Sequence, residues 1–431
     1  MTFAFTLWLI AITGGTLLTY LYEKDAPLIE RVCAGTCTGF AALGMIGFVA
    51  ASYLGLKALA LGLAGAALTS PLLLLTKRDI RKRLRIDMRA ATQAIRQACL
   101  HPNSSTIFFT VSYGAITLLM WVVFKQAMYV QAGGIYTGVD HNLGDLPLHL
   151  GIIAGFVDGE NFPPEHPEFA GARLVYPFIV DFVAAMFVRA GASLESALFW
   201  ENLALALALV GLLHRWAKGL TGDPVAALIS VALVLLSGGL GWSRLIQDVS
   251  VSNPGIAELF ARLPHNYTIT PDGAYRWGNA LTVLLVPQRG LLLGLPLAIL
   301  VMMQWWRVIS GAEDVIKEAA SRNSPRPENT TKRKQNQRDA RPAPSLVTTQ
   351  AAADANQSAI RRMIAAGVIT GMLPLVHAHS FGMLMGTSLC LALLFQRWRA
   401  WAAFFAAALL VAAPQAWWAI QGSAVQTERF L

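Results

Sequence analysis

Charge is what this chain has least of. Only 14% of its 431 residues are Asp, Glu, Lys or Arg, against 55% hydrophobic residues and a mean hydropathy of +0.50. A soluble chain of this length needs more charge to cover its surface, which excludes a water-soluble globular protein and points to a polytopic membrane protein. Cysteine is scarce as well. Cys33, Cys37, Cys99 and Cys390 fall in or beside apolar runs or in a basic loop, which argues against structural disulfides. Cys33 and Cys37 are one helical turn apart, have no companion ligands and read as small helix-face residues. The first apolar run lacks a basic lead and a small-residue cleavage site, so it is expected to be a retained span.

What the chain has in abundance is long apolar runs. Runs of the ~20 residues needed to cross a bilayer stand near 3–21, 32–54, 56–76, 104–130, 195–214, 222–241, 287–306, 363–379, 380–397 and 401–420. They predict an all-α protein with about ten transmembrane helices. Lys and Arg collect in 76–97 and again between Arg307 and Arg362, and account for the net charge of +9. The positive-inside rule places both segments in the cytoplasm, where they can touch anionic head groups. Nucleic acid is not an expected partner, because no soluble fold shapes the basic residues into a site. The stretch 321–357 is rich in Pro, Asn, Gln and charge and is expected to be disordered.

This divides the chain into four parts: three spans and a basic loop in 1–103, a core in 104–306, a cytoplasmic linker in 307–357 and three further spans in 358–431. The core carries outer loops at 131–194 and 242–286. Counting spans then gives a constraint. Between an outer acidic loop and an inner linker an odd number of crossings must lie, yet there are four apolar runs, 172–190, 195–214, 222–241 and 287–306. Run 172–190 holds Pro177 and Asp181 in its middle, and a charge at the bilayer centre is expensive. This run and the segment LGDLPLHLGIIAGF before it are expected to be interfacial helices on the outer leaflet.

The outer loop DHNLGDLPLHLGIIAGFVDGENFPPEHPEFAG (140–171) concentrates Asp140, Asp145, Asp158, Glu160, Glu165 and Glu168 with His141, His149 and His166. Asp145 opens GDLPLHLGIIAGFVDGENFPP, and LVYPFIVDFVAAMFVRAGAS follows at 174–193. An exoplasmic acid, an apolar helix, a proline-and-tyrosine interfacial helix ending in Phe-x-x-x-Gly-x-Ser, and then paired spans resemble the C-type (GT-C) membrane glycosyltransferases. These include the protein O-mannosyltransferases and lipid A aminoarabinose transferases. The likeness covers roughly 104–306 and departs from the mannosyltransferases in having His141 beside the first acid and three spans before the loop. It implies a GT-C-like fold in a plasma membrane, the inner membrane of a bacterium, with an exoplasmic active site. A polyprenyl-phosphate-sugar would be the donor, and the acceptor stays open.

Transfer of a sugar from such a carrier needs a base for the acceptor proton and cationic donors for the departing phosphate. Asp145 is the candidate base, at the foot of an apolar helix that can raise its pKa; Asp140 is the alternative. Arg289, with Gln288 at the outer start of a span, is the candidate phosphate ligand, because arginine and free N–H groups at a helix N-terminus form an anion site. Arg244 is a second candidate and Arg173 and Arg276 are weaker ones. His149, Glu160, His166, Tyr176, His265, His377 and His379 complete the candidate substrate contacts. A divalent cation, Mg or Mn, held by Asp140, Asp145, His166 or Glu168 is chemically reasonable, although the spacing matches no strong metal motif. Trp242, Tyr267, Tyr275 and Trp277 could stack on a sugar, as Trp and Tyr also do at any membrane interface. The rival reading is a transporter or flippase of a lipid-linked or anionic substrate.

Overall fold

The computed structural model describes residues 2–23, 26–252, 258, 263–269, 278–323 and 346–420. They are mostly helical. α1 (Thr2–Thr19) and α2 (Leu28–Leu54) form the closest helix pair on the N-terminal side. Small residues make that possible. A Cβ at Gly15 would sit 2.1 Å from the Gly35 carbonyl oxygen, and one at Gly39 would sit 2.0 Å from the Ala11 oxygen, so the backbones touch without side chains between them. α3 (Ala58–Thr69) continues as a 3₁₀ segment, Ser70–Thr76, into the basic helix α4 (Arg78–Leu100). α5 (Ser104–Ala127), capped by Asn103 accepting from the Thr106 N–H at 2.7 Å, leads to a short hairpin of β1 (Tyr129–Gln131) and β2 (Gly134–Tyr136).

The core follows. α6 (Asn142–Val157) and α7 (Ile179–Arg189) pack on each other, and α8 (Leu194–Thr221) descends beside them. Gly222 at φ +74° closes α8, and Asp223 caps α9 (Pro224–Leu236) through the Val225 N–H at 2.7 Å. α9 then bends by 78° into α10 (Gly241–Ser252). α11 (Arg289–Asn323) packs against α2, α7 and α8. α12 (Leu346–Gly371) lies between α11 and α14 (Trp398–Ile420), with the shorter α13 (Ala378–Leu394) against α11 and α12.

Among the described residues, seven helices are long and apolar enough to cross a membrane, or eight if the bent α9–α10 pair is one span. The expected ten are therefore reduced. Run 222–241 breaks at Leu236. The runs 363–379 and 380–397 become the end of α12, an irregular 372–377 and the 17-residue α13. The linker differs too: α11 continues to Asn323 and α12 begins at Leu346, while 324–345 lie outside the described residues. Its polar ends rule out a membrane span and not a helix, since Ala, Glu and Lys are strong helix formers.

The largest correction concerns 172–190. Every residue from Ile179 to Phe187 is buried, Asp181 included. α7 is enclosed by α2, α6, α8 and α11 and does not rest on a leaflet. At 11 residues it is only ~16 Å long, too short to cross. Its acid is tolerated because partners meet it inside the protein.

Candidate functional site

Four helices converge on Asp181. α7 buries it to 1% exposure, and α11 supplies Arg289 at its first residue, 2% exposed. The Arg289 guanidinium forks: Nη1 donates to Asp181 Oδ1 at 2.5 Å, Nη2 donates to Glu201 Oε2 of α8 at 2.7 Å, and Nε donates to Asn202 Oδ1 at 3.3 Å. This use of a rigid planar fork is one that lysine could not copy. His149 of α6 closes the cluster, with Nδ1 2.8 Å from Asp181 Oδ2 and Nε2 3.1 Å from the Pro287 carbonyl oxygen.

That pair of contacts fixes the protons. A carbonyl only accepts, so Nε2 carries hydrogen; the Nδ1–Asp181 bond then needs a second proton, on the ring or on the carboxyl. The Arg289 guanidinium and this proton together are what allow two acids to sit in the core.

A polar rim lies beside this centre. Asp145, half-buried, stands one turn before His149 on α6 and accepts a long hydrogen bond of 3.3 Å from Gln288 Nε2. The Tyr176 ring centre is 6.0 Å from that of His149. Burial, then the nearby Asp181 and Asp145 charges, pushes the Tyr176 hydroxyl up to about 12.

Beside it opens a second, more accessible feature: a cavity of about 610 Å³ lined by Asp140, His141, His265, Asn266 and Tyr267 among others. Asn266 Nδ2 donates to Asp140 Oδ2 at 3.1 Å. On α10, Asp248 accepts from Tyr267 Oη at 2.5 Å and pairs with His265 Nδ1 at 2.9 Å. Arg244 precedes Asp248 by one turn of the same helix. Asp140 and His265 therefore meet in one pocket, whereas Asp145 belongs to the rim over the buried centre.

The remaining candidates are dispersed. Glu160, exposed at φ +45°, turns the chain out of α6. His166 accepts from the Glu168 N–H at 3.2 Å in the following loop. Among the described residues no three His, Cys, Asp or Glu side chains gather as a metal site, so Asp140, Asp145, His166 and Glu168 are not brought together. Arg173 stacks over Trp418 at 4.5 Å. Tyr275, Arg276 and Trp277 lie outside the described residues. Trp242 is exposed.

His377 and His379 occupy another corner. His377 caps α13: its Nδ1 accepts from the Ser380 N–H at 3.3 Å and lies 2.8 Å from Ser380 Oγ. A Cβ on Gly294 of α11 would come within 2.5 Å of the His377 Cβ. His379 is exposed. Burial, then His379, lowers the His377 pKa below the usual 6.5. A histidine held neutral in the fold contributes stability that is present above its unfolded pKa and lost as pH falls through the folded one. Protonation also turns the capping acceptor into a donor. The melting temperature of purified protein should fall on acidification below about 6.5, and His377→Gln should flatten that slope; equal slopes would remove His377 from the effect.

Sequence reasoning passed over Asp181, Glu201, Asn202, Asp248 and Asn266 as site residues. The signal for the first two was present. Each is an acid inside an apolar run, and such residues mark function or a paired interior. Comparison of the chain with family models, curated proteins and solved structures finds no match.

Proposed function

We propose that this protein is an integral membrane glycosyltransferase that moves a sugar from a polyprenyl-phosphate donor to an acceptor in the cavity between the start of α6 and residues 263–269. The observation that carries the reading is the convergence there of Asp140, His141, His265, Asn266 and Tyr267 around about 610 Å³, a volume suited to a small polar substrate. In this reading Asp140, oriented by Asn266, takes the acceptor proton. Arg244 replaces Arg289 as the phosphate ligand, because the Arg289 charge is already met by Asp181 and Glu201. Asp145 supports the rim through Gln288.

The test is transfer of radiolabelled sugar from synthetic polyprenyl-phosphate sugars by protein in lipid nanodiscs. Asp140→Asn should lower transfer by roughly 10²- to 10⁴-fold, the contribution of a positioned base, and Asp145→Asn should lower it less. The reverse order would restore Asp145 as the base. One observation favours the transporter reading: α8 and α11 each carry two widely separated buried polar residues, Glu201 and Arg215 on one, Arg289 and Gln304 on the other. Absence of transfer with every donor, together with saturable uptake of a lipid-linked sugar into vesicles, would select it.

A further inference from the structure

α5 packs chiefly on α8 and stands away from α1 and α2. Between them runs a groove of about 680 Å³, floored by α8, with apolar walls over most of its length. Trp8 and Trp200 line one end and Lys218 the other. Along α8, positions 200 to 218 are ~27 Å apart, most of a bilayer's ~30 Å hydrocarbon thickness. The groove is therefore a membrane-depth feature, separate from the outer cavity.

Its charged groups, Glu30 and Lys218, and the Tyr113–His214 pair lie toward the Lys218 end, while Thr36 and Thr117 are the hydroxyl groups of the remaining lining. Glu30 is there, but its carboxylate is held by Arg215 Nε at 2.7 Å. Lys218 is exposed, and among the described residues no carboxylate lies within ion-pairing distance of it. One turn further into the groove, ~6 Å along the helix, Tyr113 Oη of α5 meets His214 Nδ1 of α8 at 2.5 Å. Beyond this pair the lining is mostly apolar, with Gly211, Ala208, Leu207 and Leu203 beside the Thr117 hydroxyl. From the Lys218 end the order is thus an exposed cation, a hydrogen-bonding pair and a mostly apolar channel. A phospholipid has the matching order of phosphate, ester groups and acyl chain.

We infer that the lower half of this groove binds one anionic glycerophospholipid of the inner leaflet. Its phosphate meets Lys218, its ester groups lie level with Tyr113 and His214, and one acyl chain lies against α2 and α8. Half the hydrocarbon thickness is ~15 Å, the distance from Lys218 to Ala208 at 1.5 Å per residue. The basic helix α4 also faces the side whose anionic lipids polybasic segments attract. The inference does not depend on the transfer reaction.

The test is native mass spectrometry of the purified full chain in detergent micelles doped with phosphatidylglycerol or phosphatidylcholine. Wild type should retain one phosphatidylglycerol with a preference of about fivefold over phosphatidylcholine, the effect of one lysine near a charged head group. Lys218→Glu, at an exposed position, should erase the preference. Thr117→Trp with Leu207→Trp, which fills the channel, should abolish retention of both lipids while leaving the melting temperature within a few degrees. Equal retention of the two lipids by wild type, or retention by the filled variant, would overturn the site. Stoichiometric displacement of phosphatidylglycerol by polyprenyl phosphate would overturn the choice of occupant.

Discussion

Replacing Arg289 with methionine should destabilise the protein by about 3–5 kcal/mol, the range for removing one partner of a buried ion pair. The guanidinium is the shared cation for Asp181 and Glu201, both at most 1% exposed. Without it two acids remain in the core with no cation between them, and Glu201 Oε1 already has no partner among the described groups. Neutralising the acids should restore most of the loss, so Arg289→Met combined with Asp181→Asn and Glu201→Gln should unfold closer to wild type than Arg289→Met alone. Such non-additivity is expected of groups in one network. Arg289→Lys should rescue poorly, since an ammonium cannot fork to two carboxylates and an amide at once. Thermal unfolding in detergent, followed by tryptophan fluorescence, reads all four proteins. An unchanged midpoint for Arg289→Met, with donor binding lost, would return this arginine to the phosphate role.

The history of Arg289 and Asp181 shows where the sequence was legible. Apolar run length placed α1, α2, α5 and α14 closely, and the starts of α8 and α11, because a membrane span is a local property of composition. The odd-crossing argument singled out 172–190, and α7 is indeed too short to cross. What the sequence could not show was why. Asp181 looked costly in isolation, so the run was moved to an interface; its partners lie 108 residues away on α11 and 32 residues away on α6. No local pattern reports pairings across such distances. The same holds at the cavity of Asp140 and His265. Asp140 and Asp145 are five residues apart and chemically alike, and what separates them is contacts from 126 and 143 residues further on, Asn266 to the first and Gln288 to the second. Composition also misjudged the linker ends, since a segment too polar to span can still be helical.

Further along the same two helices, Glu23→Ala should cost about as much as the loss of Arg289, again roughly 3–5 kcal/mol. Glu23 lies in the connection between α1 and α2 and is 1% exposed. It accepts from Arg215 Nη2 of α8 at 2.5 Å and from Gln304 Nε2 of α11 at 2.6 Å, and Gln304 Oε1 accepts from Arg362 Nη1 of α12 at 2.9 Å. One carboxylate thus joins the N-terminal hairpin to the core and, through Gln304, to the C-terminal helices. Burial alone would raise the Glu23 pKa, but Arg215, by charge and by hydrogen bond, together with Arg307 and Gln304, brings it net below the usual 4.5. A lowered carboxyl contributes stability that is full above the unfolded pKa and is lost as pH falls through the folded one. Wild type should therefore lose stability below about pH 4.5, with Glu23→Gln losing less over that interval because it has no proton to gain. Arg215→Met should destabilise at neutral pH as Glu23→Ala does, and the double variant should cost less than the sum. Strictly additive effects would mean that the two residues act separately and that α8 is not held to the α1–α2 connection by this bond.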